Sequence, residues 1–250
     1  MYKFSIIFLF FSITVSAQDN IEVTYKEKRV MTDFYKKNLN NYPDQVKSTL
    51  IKEFQGVFKK LVIGNNKSVY SSFENEKDVV EKSPDKVDGN VTTKTTRTLS
   101  KTVTDYYKDV VNNTLLIEKR IRDEEIVIKN TLHDNQWELT DVTQKINDLE
   151  CKQAIGKDDR GRKVVAWYSE DIPINNGPAD YGGLPGLIIY LESYSWIYEM
   201  QGLQKTTDTK DISLPSTENA ITMEEYKKSI KSKGKRDGVK RVTKTSKRKF

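Results

Sequence analysis

Cysteine and histidine are the scarcest residues in this chain, since Cys151 and His133 are each the single residue of their kind among 250. One cysteine cannot form an intramolecular disulfide, so the fold must be held by side-chain burial and backbone pairing. A Cys–His pair is one route to a nucleophilic thiolate. However, His133 lies in a polar turn and Cys151 alternates with charged neighbours as in a half-buried strand. We interpret both as structural and keep a hydrolase that uses Cys151 as an alternative.

The familiar catalytic motifs are missing as well. The sequence contains no phosphate-binding Gly-Lys-Ser/Thr loop, no Gly-x-Ser-x-Gly elbow and no His-Glu-x-x-His helix. Cys151, His133 and Asp134 are too few for a zinc site. The adjacent acids Asp158 and Asp159 fall in a predicted turn, where charge normally serves solubility. The sequence therefore predicts no catalytic residues, no metal and no cofactor.

Long hydrophobic runs are absent after the first residues. Phe4 to Val15 is mostly apolar, Lys3 precedes it, and small residues follow at Val15-Ser16-Ala17. This is the pattern of a cleavable signal peptide, and we assign it to residues 1–17. The apolar stretch of about 12 residues is too short to cross a bilayer core of ~30 Å as a helix. We expect an exported protein that is soluble outside the cytoplasm.

Positive charge is concentrated at the carboxyl end. Residues 227–250 hold twelve Lys or Arg and one acid, Asp237, whereas the whole chain has a formal net charge of +6. The preceding residues are therefore mildly acidic. We predict a disordered basic tail over 227–250, with contact to anionic lipid or lipopolysaccharide as the alternative role. Because the tail lacks interleaved aromatics and the protein is expected to be exported, we predict no nucleic-acid partner.

The hydrophobic pattern predicts a β-rich domain. Ile21 to Val30 alternates as a strand does, and short strands recur from Asp105 to Leu203 with turns too short for crossover helices. Helical spacing follows Pro43, and Thr222 can cap a short helix that runs to Ile230. Residues 74–101 contain few apolar side chains and are predicted to be a mobile loop. The predicted fold class is α+β, mainly antiparallel β, with one domain over 18–226 formed by a curved sheet or incomplete barrel and one or two packed helices.

One stretch between residues 137 and 191 contains several motifs in a fixed order. They are Trp137-Glu138-Leu139, Cys151-Lys152-Gln153-Ala154, Val165-Ala166-Trp167-Tyr168, Asp171-Ile172-Pro173-Ile174, Gly177-Pro178 and Tyr181-Gly182-Gly183-Leu184-Pro185-Gly186-Leu187-Ile188. This stretch resembles the GLPGLI family of exported Bacteroidetes proteins, which is named for the six residues from Gly183 to Ile188. The resemblance implies a location in the periplasm or at the outer-membrane surface of a Gram-negative bacterium. It implies no established reaction and supplies no catalytic residues.

Two interpretations of the glycine-rich motif remain open. In the structural one, Pro185 and the glycines let an extended segment cross the mouth of the sheet before it enters a core strand. In the functional one, the same segment forms the rim of a ligand cleft. The residues predicted to form that ligand or partner surface are Trp167, Tyr168, Tyr181, Gly182, Gly183, Leu184, Pro185, Gly186 and Trp196.

We therefore expect a non-catalytic binding or accessory protein of the cell envelope. Its predicted partners are a hydrophobic ligand, a peptide or an outer-membrane protein, because exposed aromatic side chains recognise such groups. The first alternative is an interaction scaffold without a ligand cleft. The second is the hydrolase that uses Cys151.

Overall fold

The computed structural model describes residues 20–72, 79–82, 86–88, 91–93, 96–99, 103–121, 124–206 and 212–230. The predicted signal peptide and the predicted tail beyond residue 230 lie outside the described residues. Parts of the predicted loop 74–101 also lie outside them. Its described parts form two small antiparallel pairs, β4 (Val79–Lys82) with β7 (Thr96–Leu99) and β5 (Lys86–Asp88) with β6 (Val91–Thr93).

One twelve-stranded sheet contains the remaining strands, in the order β11-β12-β13-β14-β15-β1-β2-β3-β8-β9-β10-β16. Its amino-terminal half consists of β1 (Asn20–Arg29), β2 (Val57–Gly64), β3 (Lys67–Ser72), β8 (Val103–Asp109), β9 (Thr114–Ile121) and β10 (Glu124–Thr131). Its carboxyl-terminal half consists of β11 (Glu138–Ile146), β12 (Leu149–Lys157), β13 (Lys163–Ser169), β14 (Leu187–Glu192) and β15 (Trp196–Thr206). The two-residue strand β16 (Ile221–Thr222) ends the sheet. Neighbouring strands are antiparallel apart from β10 and β16, which are parallel.

The helices are short. They comprise α1 (Asp33–Asn38), a 3-10 turn η1 (Leu39–Asn41), α2 (Asp44–Gln55) and a carboxyl-terminal helix, α3, over residues 223–230. The helix predicted after Pro43 is present as α2, and the helix predicted after Thr222 is present as α3. The sequence pattern gave no indication of α1.

The predicted α+β class with a curved sheet or incomplete barrel is wrong. The protein is mostly β and is built on one open, mixed sheet, whose edge strands are β11 and β16. No residue of α1 is buried, and of the apolar residues in α2 only Leu50 is buried. Helical periodicity identified α2, but this helix buries too little surface to form a layer of the fold.

The buried side chains form two clusters. The larger one contains residues from both halves of the sheet, such as Tyr25, Leu61, Leu191 and Tyr198. The smaller one consists of Leu115, Ile117 and Ile128, with Met223 and Tyr226 of the carboxyl-terminal segment packed against it. Tyr106 on β8 packs against both clusters. Tyr106 therefore connects the two clusters.

Candidate functional site

Residues 170–186, here called the crossing segment, leave β13 and contact the other half of the sheet before returning to β14. The Asn176 side-chain amide donates to Ser68 Oγ on β3 at 3.0 Å. The Lys108 ammonium on β8 donates to the backbone oxygens of Gly177 at 2.7 Å and Tyr181 at 2.8 Å. These hydrogen bonds hold the crossing segment across the sheet.

Two positions in the crossing segment require glycine for its backbone to adopt this path. A Cβ atom at Gly186 would lie 2.0 Å from the backbone oxygen of Ser169, so no other residue fits without a backbone shift. Gly183 has a φ of 87°, which L side chains rarely adopt. Trp137 covers this turn, because its indole N–H donates to the Gly182 oxygen at 2.8 Å.

The nine predicted surface residues fall into three groups. Tyr168, Leu184 and Gly186 are buried, and the first two belong to the larger core. Trp167 and Gly182 are half-buried, while Gly183 and Pro185 are exposed. Tyr181 and Trp196 line a cleft, so these two are the predicted residues that the structure brings together at a cavity. Whether the nine form a ligand surface stays a prediction.

The cleft that Tyr181 and Trp196 line has a volume of about 440 Å³, within the few hundred to ~1,000 Å³ typical of ligand sites. Five aromatic side chains line it: Tyr106, Tyr181, Trp196, Tyr198 and Tyr226. Its other walls come from the β12–β13 turn, the start of β15 and α3. The name "the cleft" refers to this cavity below.

Buried tyrosines continue from the cleft into the core. Tyr198 lies 6.1 Å from Tyr181 and 6.2 Å from Tyr70, measured between ring centroids. The Tyr70 hydroxyl donates to Glu27 Oε2 at 3.0 Å. Burial raises the pKa of Tyr70 and of Tyr198 well above the ordinary value for tyrosine. These hydroxyls therefore stay protonated in the physiological range, where they can donate hydrogen bonds.

Ion pairs fix the β12–β13 turn. Arg162 Nη2 lies 2.6 Å from Asp158 Oδ2, and Asp158 Oδ1 also accepts two backbone N–H bonds within the turn. The Arg162 guanidinium lies 4.6 Å from the ring centroid of Tyr194. Lys227 Nζ on α3 lies 3.8 Å from Asp159 Oδ2. The acids interpreted as a solvated pair thus hold one wall of the cleft and face α3.

Asp180 and Lys108 are an opposed pair of charges beside the cleft. Burial lowers the pKa of Lys108 to about 7, although the nearby Asp180 carboxylate favours its charged form. Burial raises the pKa of Asp180, which the charges of Lys108 and His133 partly offset. Within the described part of the chain, the Asp180 carboxylate accepts from its own backbone amide and from no other residue's side chain. Its remaining lone pairs are available to a molecule in the cleft, which Asp180 lines.

Two basic side chains line the cleft without an anionic partner among the described residues. Arg160 lies at the β12–β13 turn and is exposed, and Lys119 lies on β9. Lys119 Nζ donates to Thr104 Oγ1 at 3.3 Å and lies 5.7 Å from the ring centroid of Tyr226. Burial lowers the pKa of Lys119. The cleft therefore offers both cationic donors and a carboxylate acceptor.

Helix α3 forms a wall of the cleft through Met223, Tyr226, Lys227 and Ile230. Its first turn is held by a reciprocal cap, because the Glu225 amide donates to Thr222 Oγ1 and the Thr222 amide donates to Glu225 Oε2. The helix joins the sheet through the two-residue strand β16. Capping and apolar packing thus position this wall.

The structure keeps Cys151 and His133 apart. Cys151 is fully buried at the start of β12, and burial raises the pKa of its thiol. His133 Nε2 lies 3.3 Å from the backbone oxygen of Lys157 at the other end of that strand. Six residues of strand at ~3.3 Å each separate Cys151 from Lys157 by roughly 20 Å. This geometry does not offer His133 to the thiol as a base.

The described ranges contain neither a cluster of metal-binding side chains nor a membrane-spanning helix. No group of three or more potential metal ligands occurs there. Nor does any helix of those ranges have the length and apolar character required to cross a bilayer.

A family model matches the part of the chain that forms one side of the cleft. Residues 157–190 match Porph_ging, described as a protein of unknown function. The Porph_ging match includes the crossing segment, the β12–β13 turn and Tyr181. The family model therefore covers one wall of the cleft and leaves out Trp196 and α3. No curated protein matches the chain.

Two solved structures of PNGF-II are similar in fold. The one in space group C2 gives a TM-score of 0.51 at 15% identity, covering 85% of this chain and 32% of that one. The one in space group P21 gives 0.53 at 14% identity, with 85% and 33% covered. The chain thus spans about a third of the length of these structures. Identity this low shows a shared fold alone.

Sequence reasoning missed Lys108 and Asp180. A signal for Lys108 existed, since it follows Tyr106 by two residues and therefore lies on the same, inward face of the strand. A charged residue at an inward strand position normally has a specific partner. Asp180 lies between the Gly177-Pro178 motif and the motif that begins at Tyr181, and no pattern reveals that its carboxylate faces a cavity.

Proposed function

We propose that this chain is an exported GLPGLI-type binding protein of the cell envelope, without catalytic activity, whose cleft takes a short peptide segment of a partner. The observation that carries the proposal is the cleft itself, with its aromatic lining and unpaired polar groups. Its volume suits a few residues of peptide, and the Porph_ging match covers the residues that order one wall. Recognition through Tyr and Trp is common at peptide-binding surfaces.

The polar lining favours a peptide over a hydrocarbon ligand. A lipid chain would bury the Asp180 carboxylate without a hydrogen-bond donor, and such desolvation costs several kcal/mol for a charged group. A peptide offers amide donors to Asp180 and carbonyl or carboxylate acceptors to Arg160. Tyr106, Tyr181 and Tyr198 would contact its apolar side chains. Of the predicted ligand classes, a peptide fits this lining best.

Peptide-library selection tests the proposal. Random peptides displayed on phage would be selected on the full-length protein, and the enriched ones titrated against two variants. Ser195→Trp fills the cleft, and Thr143→Trp places the same bulk on exposed strand β11 as the matched control. We expect Ser195→Trp to weaken binding about tenfold or more, as the loss of a central contact does, and Thr143→Trp to leave it unchanged. Failure to enrich any peptide, or equal binding by both variants, would contradict the proposal.

The scaffold alternative retains one supporting observation. Tyr168, Leu184 and Gly186 are packed into the core rather than displayed, so much of the motif is explained by folding alone. A scaffold predicts that partners bind away from the cleft. In that case Ser195→Trp would leave the capture of any partner unchanged.

A further inference from the structure

Trp196 lines the cleft at the start of β15, directly after the turn that joins β14 to β15. This turn fixes its backbone, because the Ser193 amide donates to the Trp196 oxygen at 2.8 Å and the Trp196 amide donates to Ser193 Oγ at 3.1 Å. The side chain is half-buried, and a fixed backbone still allows it several rotamers. The shape of the cleft therefore depends on what holds the indole ring.

Arg29 of β1 contacts the indole ring from outside the cleft. Arg29 and Trp196 are directly opposite in the register of β1 and β15, which places both side chains on one face of the sheet. The guanidinium lies 4.3 Å from the ring centroid of Trp196, within the roughly 6 Å over which an aromatic face attracts a cation. Arg29 does not itself line the cleft. It therefore lies behind the wall that the indole forms.

Helices α1 and α2 fix the Arg29 guanidinium. Its Nε donates to Glu53 Oε2 on α2, and its Nη1 donates to the Tyr35 hydroxyl on α1 at 3.2 Å. The ring of Tyr35 packs in turn on Phe54 of α2, with 5.4 Å between the ring centroids. Hydrogen bonds to a planar guanidinium set its orientation as well as its position. The two helices thus determine where the guanidinium meets the indole.

The preceding residue of β1 has no such contact with the cleft. Successive side chains of a strand point to opposite faces of the sheet, so Lys28 lies on the face opposite to Arg29. There the Lys28 ammonium lies 2.7 Å from Glu199 Oε2, and neither of these two residues lines the cleft. Lys28 and Arg29 therefore each form an ion pair, but they differ in their relation to Trp196.

We propose that Arg29 is a positioning residue of the cleft, which holds the Trp196 ring in the cleft wall and is itself held by α1 and α2. The inference rests on the proposed function, because it assigns Arg29 a part in peptide binding. A ring that is already fixed spares the ligand the entropic cost of ordering it. The inference also gives the two helices a role that their small buried surface does not explain.

Fluorine NMR of the full chain labelled with fluorotryptophan tests the positioning without a ligand. The chain has three tryptophans, and Trp196→Phe identifies the signal of Trp196. We expect Arg29→Gln to shift this signal and to leave the other two in place, which shows that the protein is folded. Glu53→Ala should shift it in the same direction, because it releases the guanidinium from α2. Lys28→Gln also breaks an ion pair of β1 and is the matched control, in which all three signals should stay unchanged.

Peptide titration of the same variants tests the role in binding. We expect peptides enriched on the wild type to bind Arg29→Gln about fivefold more weakly, because each must now order the Trp196 ring, and to bind Lys28→Gln as the wild type. An unchanged Trp196 signal in Arg29→Gln, or unchanged peptide affinity, would overturn the inference and leave the peptide cleft standing. Failure to enrich any peptide would overturn the proposed function and with it the binding role of Arg29, while the fluorine signals would still show whether Arg29 fixes the ring.

Discussion

At the scale of single residues, Lys108 attaches the crossing segment to β8. It is buried and its ammonium bonds two carbonyl groups of the crossing segment. Lys108→Met would leave both carbonyls and the Asp180 carboxylate without their donor or counter-charge. We expect a loss of about 3 kcal/mol in the free energy of unfolding. Urea denaturation measures it, with Lys52→Met on the exposed side of α2 as the control; equal midpoints would contradict the assignment.

Lys108 also gives stability a pH dependence. Its pKa is lowered to about 7 in the folded protein, whereas an unfolded lysine titrates near 10.4. Between these values the unfolded chain binds a proton that the folded protein lacks, so the free energy of unfolding rises with pH. We expect a steeper rise between roughly pH 7 and pH 9 for the wild type than for Lys108→Met. Parallel curves in urea denaturation would show that the ammonium stays charged when buried.

At the scale of elements, the crossing segment needs glycine at position 186 for close backbone packing, and substitutions in this segment test that need. Gly186→Ala would press a methyl group against the Ser169 backbone, and we expect a loss of about 3 kcal/mol or failure to fold. Gly182→Ala is the control in the same segment, because its nearest neighbour would lie at 3.8 Å. Thermal unfolding compares the two. A Gly186→Ala protein as stable as Gly182→Ala would refute the close approach.

Helix α3 depends on its cap. Thr222→Ala removes the hydroxyl that accepts from the Glu225 amide, and we expect a local cost of about 1 kcal/mol, or roughly fivefold faster amide exchange in α3. Hydrogen–deuterium exchange measures this, with Thr143→Ala on β11 as the control. Unchanged exchange in α3 would mean that Tyr226 and Met223 alone hold the helix.

These elements also show which parts of the fold and of the cleft can be predicted from the sequence. Alternation located β1, and the Pro43 signal located α2, because both patterns are local. The order of strands was not predictable, since β1 pairs with β15 across some 175 residues and no local pattern encodes that contact. For the cleft, aromatic content pointed to Tyr181 and Trp196. The roles of Lys108 and Asp180 could not be predicted, because they depend on the contact between β8 and the crossing segment, which forms only in the folded protein.

At the scale of the whole molecule, the sheet joins two meanders through one strand. On one side β1 is followed by β2, β3, β8, β9 and β10, and on the other side the strands β11 to β15 return to it. The cleft is lined by Tyr106, Ile117 and Lys119 of one half and by Tyr198 and the β12–β13 turn of the other. A ligand seated there would contact both halves. We therefore expect a peptide enriched in the selection above to raise the melting temperature of the whole protein in a single transition, which differential scanning calorimetry measures.

The central position of β1 also sets an order in time. This strand is the first of the sheet to be synthesised, yet its partner β15 is among the last. Until β15 is available, β1 can pair only with β2, and its other edge displays unpaired amides and carbonyls to any chain nearby. Pairings this distant in sequence form slowly. During most of its synthesis the nascent protein therefore has an unpaired strand edge to which other chains can bind. A chaperone that covers residues 20–29 would raise the yield of folded protein most if it acts before the last strands are synthesised.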